Sequence, residues 1–441
     1  MSAAWYGELP KGWKEVPNRV VFSERKTKND DHNAQLLSLS QYSGVSQKGG
    51  TAVSIRPAES LIGYSVVKKN DLIMNIMLAW NGSQAISRFD GVISPAYAVF
   101  SLSDCCNPWY YHYLMRTPEI CNYFCAYSTG VIKSRLRLYP EIFRSLKTLL
   151  PPRDEQDRIA RYLDWKVSRI NRLINSRRRQ AALLGEMKNV LVSLEVTKGK
   201  GEWANGRIGR FYDITLGKML QPNKSAKNDV LANYMCAANI KWSGVKLNPI
   251  KQMWFSQNEL PQYLLKCGDL LVTEGGDVGV SAIWNDELKD CYVQNSVHLV
   301  RSRKQSIKFL YYWLFHLKNL GWIDSVCNKA TISHFTKEKL SNAPLMLPQI
   351  SEQLAIVSRL GEQCEHIDLV IGKFNNEISL LAEYRTRLIS DAVTGRLDLR
   401  GFEAPDYEAI EEAAAEWLQE EYAGARGYDA VMTSGFTTSS T

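Results

Sequence analysis

A sequence pattern typical of a helix start occurs twice in this chain of 441 residues. Residues 150–164 read LPPRDEQDRIARYLD, and residues 347–361, 197 positions later, read LPQISEQLAIVSRLG. Apolar positions go on matching in this register, without a gap, as far as VT at 196–197 and 393–394. Agreement at so many apolar positions indicates an internal duplication, so we expect the chain to fold as two related halves.

Each copy of the repeat predicts one long helix. Both copies begin with proline ahead of a residue that suits a helix N-cap, Asp154 in the first copy and Ser351 in the second. Both end near a glycine, Gly199 or Gly395, which can adopt the left-handed conformation that closes many helices. About 40 residues lie between these signals, and they would form roughly 60 Å of helix.

Apolar residues recur in both helices at alternating steps of three and four, which predicts a pair of coiled-coil helices. Basic residues interrupt this seam at 177 and 188 in the first helix and at 385 in the second. The predicted seam residues are Leu163, Val167, Ile170, Ile174, Leu184, Leu191, Leu360, Ile367, Ile371, Phe374, Ile378, Leu381 and Leu388.

The segments ahead of the helices predict an α+β fold. Short apolar runs such as DLIMNIM, YAVFSL, DLLVTE and SVHLVRS indicate strands, and two longer helical stretches follow them. The repeat continues weakly here, with YSGV at 42–45 matching WSGV at 242–245. We therefore predict two similar mixed domains, separated by two long antiparallel helices in a pseudo-twofold repeat. The predicted parts are a first domain over 1–150, a helix over 151–199, a second domain over 200–347, a helix over 348–399 and an acidic tail over 400–441.

The folded body is basic. The formal net charge is +8, but residues 401–441 hold nine acidic residues and one arginine, so residues 1–400 carry about +16. Such a charge suits attraction to phosphate backbones or to acidic partners. The N-terminus lacks a cationic start followed by an apolar core, and no apolar run is long enough to cross a membrane. We therefore expect a cytoplasmic protein.

Motifs for catalysis are incomplete. GVSQKGGT at 44–51 has glycine where a phosphate-binding loop needs lysine, and SPAY at 94–97 departs from the loop of DNA amino-methyltransferases at two positions. TEGGD at 273–277 carries two carboxylates, but a glycine turn after a strand accounts for it better than a nuclease site. The nine cysteines form no CxxC pair, and His298 is interpreted as a strand residue. We predict no catalytic residues, no metal site and no cofactor.

The duplicated pattern resembles the specificity (S) subunit of type I restriction-modification enzymes. The residues that carry the resemblance are LPKGW at 9–13, the paired LPPRDEQ and LPQISEQ, the VTKG and VTG endings, and GDLLVTEGG at 268–276. The resemblance covers nearly the whole chain and implies two target-recognition domains, each reading one half of a split DNA sequence. It further implies that the helices hold these domains apart and dock two methyltransferase subunits, with restriction subunits joining the full complex. S-adenosylmethionine, ATP and Mg²⁺ would belong to those partners.

Candidate DNA contacts are polar and basic residues in turn-rich segments, because base edges and phosphates need such donors. In the first domain they are Lys26, Lys28, Gln41, Lys48, Arg56, Lys133, Ser134, Arg135 and Arg137. In the second domain they are Lys218, Lys224, Lys227, Asn239, Lys241, Lys246, Thr331, Ser333, His334 and Lys337. Two alternatives remain open at this point: a nuclease or methyltransferase that acts alone, and a coiled-coil scaffold that does not bind DNA.

Overall fold

The computed structural model describes residues 5–41, 44–48, 60–132, 135–199, 203–327 and 333–403. The chain divides into two compact units. Unit 1 comprises Met1–Arg179 and Asn375–Thr441, and unit 2 comprises Gln180–Phe374. Each unit therefore contains one globular lobe, the N-terminal part of one long helix and the C-terminal part of the other.

The first lobe lies in unit 1 and is built around a four-stranded antiparallel sheet of order β2-β9-β6-β7. Its strands are β1 (Lys14–Pro17), β2 (Phe22–Glu24), β3 (Leu37–Ser40), β4 (Gly44–Gln47), β5 (Ser65–Val67), β6 (Leu72–Asn75), β7 (Gln84–Ile86), β8 (Gly91–Ile93), β9 (Tyr97–Leu102) and β10 (Lys147–Leu150). Its helices are α1 (Asn18–Val21), α2 (Pro108–Leu114), α3 (Pro118–Tyr127) and α4 (Pro140–Ser145). The pairs β1·β10, β3·β4 and β5·β8 form small antiparallel ribbons.

The core of the first lobe is aromatic. Phe22, Phe100 and Phe143 are fully buried, and the rings of Phe100 and Phe143 lie 4.9 Å apart. Helix α2 packs on this core and begins where Asn107 accepts hydrogen bonds from the first free backbone N–H groups, with proline in the first turn. Sequence alone therefore specifies where this helix starts, and burial of its apolar face holds it against the sheet.

The first long helix, α5, spans Arg153–Thr197 and leads to the second lobe. The strands of that lobe are β11 (Ala204–Arg207), β12 (Tyr212–Leu216), β13 (Val230–Met235), β14 (Ile240–Lys241), β15 (Gly244–Val245), β16 (Lys251–Phe255), β17 (Leu270–Thr273), β18 (Ser281–Ile283), β19 (Cys291–Val293), β20 (Val297–Ser302) and β21 (Pro344–Leu347). Its helices are α6 (Ile208–Phe211), α7 (Leu260–Tyr263), α8 (Ile307–Asn319), α9 (Trp322–Cys327) and α10 (Lys337–Asn342). The second long helix, α11, spans Ile350–Val393.

The two lobes share one scaffold. The sheet β12-β20-β17-β18 of the second lobe repeats the order β2-β9-β6-β7 of the first, and β11·β21 repeats β1·β10. The second lobe differs by a three-stranded sheet, β16-β13-β19, in which β13 and β19 run parallel. The predicted α+β class with a repeated domain is therefore confirmed, and the lobes diverge mainly in the segments that surround the common sheet.

The repeated EQ dipeptide has a structural reason. Gln156 and Gln353 are fully buried, and each donates a hydrogen bond to the carbonyl of the proline that precedes its helix, Pro151 at 2.9 Å and Pro348 at 2.8 Å. Each side-chain oxygen accepts the backbone N–H of the residue that caps α2 or α8. A buried amide without partners is costly, so this glutamine ties each long helix to its own lobe.

Within each unit the two long helices run antiparallel. In unit 2, Lys188 Nζ lies 2.6 Å from Asp368 Oδ2, and Arg359 Nη2 lies 2.8 Å from Glu195 Oε2, so the numbering falls on one helix as it rises on the other. Apolar residues of both helices, including Val192, Val196 and Leu360, pack beneath these pairs. The predicted antiparallel pairing therefore holds in unit 2.

Unit 1 has the same arrangement. Arg177 Nε donates to Glu377 Oε2 at 2.8 Å, and Arg385 donates to the side-chain oxygen of Asn171. The basic residues that interrupt the predicted seam thus meet polar partners on the opposite helix, where they help to specify register. Of the predicted seam residues, Ile170, Ile174, Ile378, Leu381 and Leu388 pack together in unit 1, and Leu163 and Val167 join the core of the first lobe. In unit 2, Leu191 and Leu360 pack with the second lobe, Ile367 is buried, and Leu184, Ile371 and Phe374 are half-buried.

The helix ends differ in detail from those predicted. Helices α5 and α11 begin at Arg153 and Ile350, so Asp154 and Ser351 lie in the first turn and are not the N-caps. Gly395 has the expected left-handed conformation, with φ 75°, whereas Gly199 does not. A side chain at Gly395 would also collide with Pro10, because its Cβ would lie 2.3 Å from Pro10 Cγ. The second ending therefore needs glycine for both its backbone conformation and its space, whereas the first needs it for space alone, because a Cβ at Gly199 would lie 2.0 Å from Trp203 Nε1.

A buried ion pair braces each sheet. In the second lobe, Arg301 donates two hydrogen bonds to Asp269, at 2.8 and 2.7 Å, and the Asp269 side chain is 6% exposed. In the first lobe, Arg25 contacts Asp71 in the same two-pronged way. The aspartates occupy equivalent positions, but the arginines come from different strands, so the two lobes reach the same contact separately.

We expect Asp269→Ala to lower the free energy of unfolding of the second lobe by about 2–3 kcal/mol. The substitution leaves the Arg301 guanidinium without its carboxylate, but that side chain is about a third exposed, so water offsets part of the usual cost of a broken buried pair. Urea unfolding of the purified chain measures the change. The control is Asp213→Ala, which removes an exposed ion pair with Arg303 and should lower the free energy of unfolding much less, because water screens that pair. Equal losses in the two variants would contradict the structural role of the Asp269 pair.

None of the helices among the described residues is long and apolar enough to span a membrane.

Candidate nucleic-acid interface

The loop between β6 and β7, residues 76–82, collects the candidate residues of the first lobe. On one side, the Leu138 N–H donates to the Ile76 carbonyl at 2.9 Å, which anchors the segment that carries Arg135 and Arg137. On the other side, Asn81 Nδ2 donates to Gln41 Oε1 at 2.7 Å. Segments that are far apart in the sequence therefore meet at this one loop.

Residues 129–132 and 135–137 lie at the surface around an isolated antiparallel bridge between Thr129 and Arg137. Thr129 and Arg137 exchange two backbone hydrogen bonds of 2.9 Å, and the side chains of Arg135 and Arg137 are exposed. Val131 and Ile132 near the tip are also exposed. Lys133 and Ser134, which were predicted to contact DNA with this group, lie outside the described residues. The described residues of this segment thus present cations and apolar side chains together, a combination that suits a DNA groove.

The other first-lobe candidates are not brought to this loop. Lys26 lies 3.6 Å from the carboxylate of Glu24, and Lys28 Nζ donates to Ser65 Oγ at 3.1 Å. Lys48 follows β4, at the opposite end of the β3·β4 ribbon from Gln41. Arg56 lies outside the described residues. The structure thus separates Gln41, Arg135 and Arg137 from the three lysines.

An equivalent loop, residues 274–279, lies after β17 in the second lobe. The Phe335 N–H donates to the Glu274 carbonyl at 2.8 Å, as the Leu138 N–H does to Ile76 in the first lobe. This contact places Ser333, His334 and Lys337 beside the loop, and His334 Nδ1 lies 3.4 Å from Glu274 Oε1. Thr331, predicted with them, lies outside the described residues.

His298 supports this loop from within. It is fully buried on β20, and its Nε2 lies 2.7 Å from the Phe335 carbonyl. Burial lowers the pKa of His298 below its usual value, so the neutral ring donates this hydrogen bond near neutral pH. The residue is thus a structural strand histidine, as the sequence indicated, and it helps to place His334 and Lys337.

Lys218 and Asn239 have partners inside the second lobe. Lys218 Nζ lies 2.6 Å from Glu259 Oε1, and its side chain is only 9% exposed. Asn239 is buried, and it donates to the carbonyls of Lys246 and Pro249. These contacts favour a structural role for both residues, because each would have to break a buried hydrogen bond to reach DNA.

The remaining candidates of the second lobe, Lys224, Lys227, Lys241 and Lys246, are exposed. Lys224 Nζ lies 5.1 Å from the centre of the Trp254 ring, so its charge stays near an aromatic face. Lys241 aligns with Gln41 in the sequence, since KWSGV at 241–245 matches QYSGV at 41–45, although Lys241 pairs with Gly244 in its ribbon and Gln41 lies just after β3. The two lobes therefore carry different side chains at matching places.

Sequence reasoning missed the loops that organise these segments. Asn81 and Glu274 were not among the candidates, although both hold candidate residues by hydrogen bonds or close contact. The available signal was the offset of the repeat, because both loops follow the matching strands NDLIMN and GDLLVT. A search for basic residues could not identify Asn81 or Glu274, since neither residue is basic.

The carboxylates of TEGGD do not form a metal site. Glu274 faces His334, whereas Asp277 Oδ1 lies 2.9 Å from Lys318 Nζ. Gly276 and Gly279 have φ values of 74° and 80°, which only glycine adopts without strain, so the segment is a glycine turn. Over the residues that the structure describes, no three His, Cys, Asp or Glu side chains are grouped so as to hold a metal ion.

The comparisons with known proteins agree with this organisation. Residues 200–379 match the family model of the type I restriction modification DNA specificity domain. The type I restriction enzyme MjaVIII specificity subunit of Methanocaldococcus jannaschii is 23% identical over 363 residues, covering 76% of this chain and 81% of the relative. The putative type I restriction enzyme MjaX specificity subunit of the same organism is 22% identical, covering 66% of this chain and 69% of the relative.

A solved structure shares the fold. One chain from work on complex assembly and conformational transition of the type I R-M system superimposes with a TM-score of 0.62 at 18% identity, covering 88% of this chain and all of that chain. Residues 200–379 therefore match the type I restriction-modification specificity family, and the chain as a whole is similar to specificity subunits, in agreement with the resemblance of its repeated motifs. The prediction that the chain is a specificity subunit and not itself the enzyme agrees with the names of these relatives.

Proposed function

We propose that each lobe reads one half of a bipartite double-stranded DNA target. The observation that carries this proposal is the contrast between the lobes. They share one sheet order and one loop anchor, but the loop regions present Gln41, Asn81 and two arginines in the first lobe and Lys241, Glu274 and His334 in the second. A duplicated scaffold with different polar groups suits reading two different short sequences.

Mapping of methylated bases in cells that express the complete system tests this function. We expect one discrete motif made of two specified segments separated by bases of any identity. A single uninterrupted motif would contradict reading by two lobes. Absence of any methylated motif, together with no DNA binding by the assembled complex, would support the alternative of a coiled-coil scaffold without DNA binding.

The segment 129–137 is proposed to bind phosphates. We expect the triple replacement of Lys133, Arg135 and Arg137 by alanine to weaken DNA binding about 10- to 100-fold at moderate salt. The slope of log affinity against log salt should fall by about 2–3, since each lost phosphate contact removes roughly 0.9 from it. Fluorescence anisotropy at several salt concentrations measures both. Replacement of Lys14, Lys68 and Lys69, three exposed lysines of the same lobe, is the control, and an equal effect there would mean that only total charge matters.

The long helices are proposed to bind two methyltransferase subunits. In unit 2, four apolar side chains of α5 lie at steps of four, three and four and are each more than half exposed, namely Leu183, Met187, Val190 and Leu194. We call them the α5 stripe. In unit 1, the equivalent positions of α11 begin with exposed Leu380 and Tyr384. An exposed apolar stripe of this kind fits a protein partner better than solvent.

The proposal assigns the cofactors to the partners. S-adenosylmethionine would be used by the methyltransferase subunits, and ATP and Mg²⁺ by the restriction subunits of the full complex. This chain would contribute DNA recognition and the docking surfaces.

A further inference from the structure

Gln41 and Asn81 hold each other in place at the edge of loop 76–82. Asn81 Nδ2 donates to Gln41 Oε1 at 2.7 Å, and both side chains remain accessible. Their backbones are fixed as well. Arg116 Nη2 donates to the Gln41 carbonyl at 2.7 Å, and the Asn81 N–H donates to the Leu78 carbonyl at 2.9 Å. The two amides therefore form a small rigid pair rather than two independent surface side chains.

The chemistry of the pair does not depend on how either amide is turned. Each amide has two N–H donors and one oxygen acceptor, and their mutual hydrogen bond uses one donor and one acceptor lone pair. If both amides were rotated by 180°, Gln41 would donate to Asn81, and the outward groups would again include a donor and an acceptor. In either arrangement one amide keeps both N–H donors of its NH₂ group and the other keeps its oxygen, so the pair can offer a donor and an acceptor to the same ligand.

This pattern is complementary to one base edge in the major groove. Adenine offers the N7 acceptor beside the N6 donor, and the amides of asparagine and glutamine bind these two groups together. Guanine offers two acceptors there, and would leave the acceptor of the pair facing another acceptor. We propose that the Gln41–Asn81 pair reads an A·T base pair in the half-site bound by the first lobe. This inference rests on the proposed function and names a specificity-determining pair within it.

Two further observations support the assignment. An open recess of about 410 Å³ lies beside the pair and is lined by Gln41, Trp80, Asn81 and Arg116. Among the described residues, this recess leaves room for a base edge to approach the pair. The second lobe has Lys241 where the first has Gln41, so it cannot form the same pair of amides. The pair is a feature of one lobe and not of the shared scaffold, which is expected for a group that selects sequence.

The test uses the full chain assembled with its methyltransferase partners. The variants are Gln41→Met and Asn81→Leu, which keep side-chain size and remove hydrogen bonding. Once the wild-type motif is mapped, competition binding is measured on duplexes in which each specified base pair is changed in turn. We expect both variants to lose about 10- to 100-fold of the discrimination between A·T and G·C at one position of one half-site, while the other positions stay unchanged. Asn33→Leu, an exposed asparagine elsewhere in the first lobe, is the control and should leave every position unchanged.

Three results would overturn the inference. The variants could keep the complete wild-type preference, the affected position could be a G·C pair, or binding could fall equally on all sequences together with a lower melting temperature. The last result would mean that the pair only holds loop 76–82 against the β3·β4 ribbon. A wild-type complex with no sequence preference at all would instead reject the proposed function, so the two failures are distinguishable.

Discussion

Replacement of Leu183 and Val190 by glutamate is expected to abolish stable binding of the methyltransferase partner. Both residues belong to the α5 stripe, and their side chains are 62% and 58% exposed, so the free chain should fold normally with charges at these positions. In an apolar interface the two carboxylates would have to give up water without gaining partners, which costs several kcal/mol. We expect an affinity loss of at least roughly 100-fold, measured by titration calorimetry with the purified methyltransferase subunit.

The control for this prediction carries the same charge change on a lobe. Val20 and Ile62 are exposed apolar residues of the first lobe, and Val20→Glu with Ile62→Glu should leave partner binding unchanged. An unchanged melting temperature of the Leu183 and Val190 variant is needed to exclude misfolding. Full partner affinity in a properly folded variant would show that the α5 stripe is not the docking surface.

Lengthening both long helices by one heptad at facing positions is expected to widen the unread gap of the DNA target by about three base pairs. Seven residues add roughly 10 Å of helix, and a base pair occupies about 3.4 Å of duplex. By the register of the Lys188–Asp368 and Arg359–Glu195 pairs, insertions after Ala182 and after Gly372 face each other. Matched insertions keep the seam in phase, because a coiled coil repeats every seven residues. Mapping of the methylated motif gives the gap directly.

An insertion in α5 alone is the control for the spacing experiment. It moves Lys188 and Glu195 out of register with α11, so we expect lower thermal stability and loss of methylation rather than a wider gap. Unchanged spacing in the matched variant, with methylation retained, would reject the idea that the helices set the distance between the two DNA segments.

The internal duplication could be predicted from the sequence because it consists of local sequence patterns that occur twice. A proline, a cap region, the EQ dipeptide and apolar residues every three or four positions specify a long helix wherever they occur. The same periodicity predicted pairing of the helices, and the antiparallel contacts in each unit agree with it. The predicted N-caps lie two residues too late, since Asp154 and Ser351 suit an N-cap by residue type whereas the observed helices begin at Arg153 and Ile350 and their N-cap positions are 152 and 349.

The candidate DNA contacts were less predictable, because exposure and partners depend on segments that are distant in sequence. Lys218 and Asn239 have the composition of a binding loop, but folding of the second lobe supplies Glu259 to one and three backbone groups to the other. Conversely, Asn81 carries no charge and was not among the predicted DNA contacts. It becomes a candidate only because the β3·β4 ribbon places Gln41 within hydrogen-bonding distance of it. Residue type alone therefore could not distinguish accessible candidate DNA contacts from residues that make structural contacts inside a lobe.

The sequence by itself determined the architecture: two related lobes, each followed by a long helix with an apolar seam, since helix and strand periodicity and repeat offset are properties of neighbouring residues. Only the tertiary structure decided which loops meet and which polar groups stay accessible. The physical reason is that a side chain's hydrogen bonds and burial are made through space, by partners such as Gln41 and Asn81 that lie 40 residues apart in the chain. The scaffold of the two lobes is thus encoded locally, and the surface that distinguishes one lobe from the other is assembled only on folding.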